Sequence, residues 1–143
     1  MIEITVSGYR GVNHATVALN RVALVAGLNG QGKTSFSQAA AAALTGVFAP
    51  GLSIKKSEAN ALVYRGSQSE SMAKASFAEG TGSMRWPSCE YATSGQVPAV
   101  SHFAAGVSKL PLLDDKERAR VLAEYLQTLP TRQIPRHYSP VRR

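Results

Sequence analysis

Ile2, Ile4 and Val6 alternate with Glu3, Thr5 and Ser7, the two-residue period of a half-buried strand, and Gly8-Tyr9-Arg10-Gly11 reads as the turn that ends it. Ala15-Thr16-Val17-Ala18-Leu19 predicts a second strand, Asn20-Arg21 a reversal, and Val22-Ala23-Leu24-Val25-Ala26 a third strand, apolar throughout and therefore buried. From Lys33 the period becomes helical. Phe36, Ala40 and Leu44 fall one turn apart, a stripe that can pack on a sheet, and Gly46 followed by Pro50-Gly51 supplies the stop. Residues 47–61 have weak periodicity, with Lys55 and Lys56 expected at the surface. Leu62-Val63-Tyr64-Arg65 predicts a strand running into Gly66. Residues 72–77 and 83–86 predict two more strands joined across Glu79-Gly80-Thr81-Gly82, the second ended by Trp86-Pro87. Residues 88–101, rich in Ser, Thr, Gly and Pro, read as loop, and residues 102–113 as a short helix or irregular packing. Asp114 and Glu117 have the spacing of a capping pair, and Val121, Leu122, Tyr125, Leu126 and Leu129 share one face of a helix that stops before Pro130.

These elements predict an α/β fold: a mixed β-sheet with an antiparallel start, a helix after Gly32 and a C-terminal amphipathic helix. Residues 1–130 form the expected domain. Residues 131–143 contain Pro135, Pro140 and four arginines but no acid and no apolar period, so they read as a disordered basic tail.

Charge refines this picture slightly. Of the formal net charge of +7, four positive charges come from Arg132, Arg136, Arg142 and Arg143. A modest basic bias is left for the domain, and the tail could meet nucleic acid through phosphate contacts. The apolar fraction of 44% is that of a globular protein, and Cys89 is the single cysteine, read as a plain thiol. Glu3 and Arg10 interrupt the first 20 residues, against a secretory signal. The weakly polar stretch 39–52 is too short and too interrupted to cross a bilayer, so no membrane partner is expected and a cytoplasmic location is.

The chemistry concentrates in one place. Gly27-Leu28-Asn29-Gly30-Gln31-Gly32-Lys33-Thr34 fits the P-loop pattern G-x-x-x-x-G-K-[ST], with an apolar run before it and a helix after it. Glycines let successive backbone N–H groups turn inward as an anion nest, and the helix adds the positive end of its dipole. Lys33 would meet the β- and γ-phosphates as a point charge, and the Thr34 hydroxyl would be one ligand of Mg²⁺. The expected cofactors are ATP and Mg²⁺.

The inner residues of this loop resemble the G-x-N-G-x-G-K-[ST] form of ABC-type ATPases. The first strand, Tyr9-Arg10-Gly11 and the strand pair leading to the loop resemble the N-terminal head segment of SMC-like ATPases of the double-strand-break repair type. Leu62-Val63-Tyr64-Arg65-Gly66 before an antiparallel pair is similar to the same segment, and Phe103-Ala104-Ala105-Gly106 with residues 113–126 to phage-encoded ATP-binding proteins of this kind. The resemblance covers about residues 1–130. It implies a P-loop NTPase half-domain, with the Walker B acids and the signature motif contributed by a missing C-terminal half or a second chain. It also implies a role in DNA repair, recombination or phage DNA processing, and DNA as a possible partner. Leu110-Pro111-Leu112-Leu113-Asp114-Asp115 is the one string like Walker B, but Pro111 suits a central strand badly and Asp114 reads better as a helix cap. An isolated chain of this kind would be an incomplete ATPase, and the proline- and arginine-rich end is expected to mark a truncation or an altered reading frame.

Single residues add less. The resemblance favours Arg10 over Arg65 for a nucleotide contact. The resemblance offers Gln68 or Gln96 as the glutamine that contacts Mg²⁺ and water in such ATPases, and their contexts do not select one. His14, His102 and His137 have no metal-ligand spacing, and Trp86 reads as a core aromatic. Two other functions compete: a small P-loop phosphotransferase such as a nucleotide kinase, and a nucleotide-independent fragment that binds nucleic acid or a partner.

Overall fold

The computed structural model describes residues 1–20, 23–66, 69–100, 105 and 114–128. The chain divides into two units, residues 1–109 and 110–143.

The first unit is built on a five-stranded sheet. Strands β1 (Ile2–Tyr9), β2 (Val12–Leu19), β3 (Ser71–Ser76), β4 (Gly80–Trp86) and β5 (Glu90–Gly95) are arranged in the order β2-β1-β3-β4-β5. Every pairing is antiparallel, where a mixed sheet is predicted from sequence. The alternation of β1 sends Ile4 and Val6 to a fully buried face and leaves Glu3 outside. β2 matches it residue for residue, Ile4 opposite Val17 and Val6 opposite Ala15, because the connection at Arg10 and Gly11 has only two residues. Arg10 takes φ 47° to make that turn. The strand thus continues through Tyr9, past the predicted break at Gly8. β3 and β4 are joined by a tight reversal at Ala78 and Glu79, with the Phe77 N–H donating to the Gly80 carbonyl, so Gly80 to Gly82 belong to β4 and not to the turn.

Helix α1 (Lys33–Thr45) lies on the inner face against β1, β3 and β4. Its buried side chains are Phe36, Ala39, Ala41, Ala42 and Ala43, while the predicted stripe partners Ala40 and Leu44 are only partly covered. The shift follows from shape. The facing strand residues are small, Ala73, Ala75 and Gly82, and small helix residues let the backbones close in. A Cβ on Gly82 would come within 2.6 Å of the Ala43 carbonyl oxygen, so any larger residue there would push α1 off the sheet. At one end Trp86 and Tyr9, both fully buried, pack with ring centroids 4.5 Å apart and planes tilted by 49°, and the Trp86 indole N–H donates to the Phe48 carbonyl at 2.7 Å. This agrees with the expectation for Trp86.

Three predicted elements are corrected. Residues 23–26 form no strand, and Leu24 is 91% exposed. β2 is an edge strand with one side open, but residues 23–26 do not pair with it, and an apolar run alone does not make a strand. Residues 62–65 are likewise not a strand: a 3₁₀ helix (Lys56–Leu62) ends there, and only Val63 bridges to Tyr9. Conversely β5 runs through the predicted loop 88–101. Its sequence Glu-Tyr-Ala-Thr-Ser-Gly is exposed along its length because it is an edge, so it lacks the apolar alternation that marks a buried strand.

The second unit contains α2 (Asp115–Thr128), begun by the Arg118 N–H donating to the Asp114 carbonyl and carrying an exposed i,i+3 ion pair between Arg118 and Asp115. The side chains of Glu117, Val121, Tyr125 and Leu126, on which the predicted cap and apolar face depend, lie outside those described, as do residues 102–104, 106–113 and the tail from 129. Among the described residues no helix is long and apolar enough to cross a membrane.

Candidate phosphate-binding site

The loop 27–32 enters α1 beside the β1–β2 turn. Gly30 and Gly32 hold φ values of 85° and 80°, the left-handed region where a side chain is strained. Gly32 is also packed into place: a Cβ there would sit 2.7 Å from the Gly11 carbonyl oxygen. The Gly32 carbonyl then accepts the Phe36 N–H at 2.8 Å, which fixes the first turn of α1. Gly11 approaches from the other side, its N–H donating to the Ser35 hydroxyl at 3.5 Å. The sheet therefore seats the start of the helix directly.

The Lys33 side chain folds back over the loop. Its ammonium donates to the Gly27 and Leu28 carbonyls, both at 2.8 Å. Two of its three N–H bonds are used in this way, which fixes the charge over the loop and leaves one donor for a ligand. No side chain caps α1, and its first turn contains no acid. The positive end of the helix dipole and its free N–H groups are thus met by no anion from that turn. Thr34 is exposed on the same turn. Among the described residues no three His, Cys, Asp or Glu side chains converge as a metal cage, which leaves Thr34 as the candidate Mg²⁺ ligand that the loop pattern names.

Arg10 reaches the same helix from the turn. Its backbone N–H donates to the Leu62 carbonyl at 2.8 Å, and its guanidinium donates to the Gln38 side-chain oxygen at 2.6 Å. Gln38 lies one turn beyond Thr34 on α1, so Arg10 is held on the helix and not within the loop itself. Sequence reading missed Gln38. Its spacing of four from Thr34 was the available signal, though nothing in the chain pointed to Arg10 as its partner.

The other candidates are scattered. Arg65 and His14 are exposed, and Gln96 is exposed at the end of the β4–β5 hairpin, where its N–H donates to the Glu79 carbonyl. Gln68, His102 and His137 lie outside the described residues, as do residues 110–113 of the Walker B-like string; Asp114 is exposed immediately before α2. Burial pushes the Cys89 thiol up, offset in part by the charge of Lys56, so it is no activated nucleophile. A concavity of about 430 Å³ lies at the far end of α1, between Leu44, Thr45, Tyr91 and Thr93. It is remote in the fold from the loop, and none of residues 27–34 lines it. No protein-family model and no curated protein matches the chain.

Proposed function

We propose that the chain binds ATP with Mg²⁺ through residues 27–34, as the ATP-binding segment of an SMC-like ATPase. The observation that carries the reading is the Lys33 ammonium, anchored 2.8 Å from two loop carbonyls with one donor to spare, at the mouth of an uncapped helix. In this reading backbone N–H groups of residues 29–34 other than Gln31 line the cradle, and Lys33 meets the β- and γ-phosphates. The Thr34 hydroxyl takes one position on Mg²⁺, which neutralises the phosphate charge. Arg10 is the second cation, held by Gln38 at the edge of the cradle.

The exposed run Ala23-Leu24-Val25-Ala26 supports the proposal that a further segment, from a second chain or a C-terminal half, pairs beside the loop and brings the Walker B acid and signature motif. Alone, the chain is then expected to bind ATP and turn it over at close to the background rate, since in this reading the Walker B acid and signature motif come from that further segment. A role in DNA transactions follows only by family analogy.

The test is titration calorimetry with Mg²⁺-ATP on the wild type and on Lys33→Ala. Binding should be lost in the variant at an unchanged fold. Equal affinity of the two would remove the site.

A further inference from the structure

The loop pattern leaves position 31 open to any residue, yet the Gln31 side chain is tied into the loop. Its oxygen accepts the Leu28 N–H at 3.1 Å. The same carboxamide lies over Gly27, where a Cβ would meet that oxygen at 2.7 Å. On the other side of residue 28, the Leu28 carbonyl accepts from the Lys33 ammonium at 2.8 Å and from the Gln31 N–H at 3.4 Å. Both peptide groups of Leu28 are therefore pinned by residues further along the loop. The Leu28 side chain cannot do this itself, being 76% exposed.

We propose that Gln31 is a positioning residue: its side-chain oxygen braces the loop in the conformation that receives phosphate, and so sets nucleotide affinity. This rests on the ATP-binding reading above and adds a role for a side chain that the pattern does not specify. The physical need is plain. Three glycines within six residues give the loop many accessible conformations, and each must be given up when a phosphate is enclosed. A brace that holds the loop beforehand lowers that cost at the moment of binding. Position 31 suits the task because its side chain can reach back across the loop, while its neighbour Lys33 secures the same residue from the carbonyl side and keeps its charge for the ligand.

The experiment uses Gln31→Met, which keeps the length but loses the acceptor, and Gln31→Glu, which keeps an acceptor. Amide exchange of Leu28 is followed by NMR without nucleotide, together with Mg²⁺-ATP calorimetry and the thermal midpoint. Gln31→Met should speed Leu28 exchange and weaken ATP binding by roughly three- to ten-fold, the worth of one modest hydrogen bond, with the midpoint unchanged. Gln31→Glu should restore slow exchange. Unchanged Leu28 exchange, or unchanged ATP affinity, in Gln31→Met would overturn the brace while leaving the nucleotide site standing. A wild type that binds no ATP would overturn the nucleotide reading and the role of Gln31 with it, even if Leu28 exchange still responded to the substitution.

Discussion

Gly32→Ala places a methyl group where the sheet meets the loop 27–32. Two costs add. At φ 80° an L-residue is strained by about 1–2 kcal/mol. The new Cβ would also lie 2.7 Å from the Gly11 carbonyl oxygen, 3.2 Å from its carbon and 3.1 Å from Val12 Cγ2. The carbonyl is backbone and cannot swing aside as a side chain would. Its turn is further held by the Arg10 N–H bond to Leu62, so either that turn or the start of α1 must move. Overpacking of this kind costs about 1–3 kcal/mol. Gly30 supplies the control, since it has φ 85° and nothing within 4 Å of a Cβ, so Gly30→Ala meets the strain alone. Denaturant unfolding of both variants should show Gly32→Ala less stable than Gly30→Ala by about 1–3 kcal/mol, a further fall in midpoint temperature of roughly 4 °C or more. Equal stability of the two would refute the close seating of the loop on the β1–β2 turn.

Two other perturbations test neighbouring parts of the account. Burial pushes the Tyr9 hydroxyl up to about 12 from its ordinary 10.0, offset in part by Arg10, and the buried oxygen has no hydrogen-bond partner among the described residues. The folded state keeps this proton where the unfolded state loses it, so the stability present below pH 10 drains away as pH rises from 10 to 12, by roughly 3 kcal/mol in all. Tyr9→Phe should equal or exceed the wild type in stability at pH 8, and its advantage should widen above pH 10; a loss of stability at pH 8, or a gap flat with pH, would show that the hydroxyl is satisfied. Leu24→Asp should change the unfolding free energy by less than about 0.5 kcal/mol, because Leu24 is exposed in this chain; a loss of several kcal/mol would restore the buried strand that the sequence predicts.

What the sequence made legible is what local chemistry alone determines. The alternation of Ile2, Ile4 and Val6 placed β1, and glycine spacing with Lys33 and Thr34 marked the loop, because each signal depends only on near neighbours. Residues 23–26 misled for the same reason: an apolar run declares a wish for burial, and whether it is met depends on a strand elsewhere. β5 escaped notice because an edge strand takes its hydrogen bonds from β4 and needs no apolar face. The Arg10–Gln38 bond spans 28 positions and the brace from Gln31 uses a position the motif leaves free, so neither could be read before the chain was folded.

The central claim, that residues 27–34 hold the phosphates of a nucleotide, is tested most directly by titrating Mg²⁺-ATP into ¹⁵N-labelled protein and following the backbone amides. The account predicts saturable shifts concentrated at Gly30, Gln31, Gly32, Lys33 and Thr34, with Arg10 responding at the rim and the β3–β5 amides still. No saturable shifts, or shifts centred on the concavity beside Tyr91 with the loop amides unmoved, would contradict it.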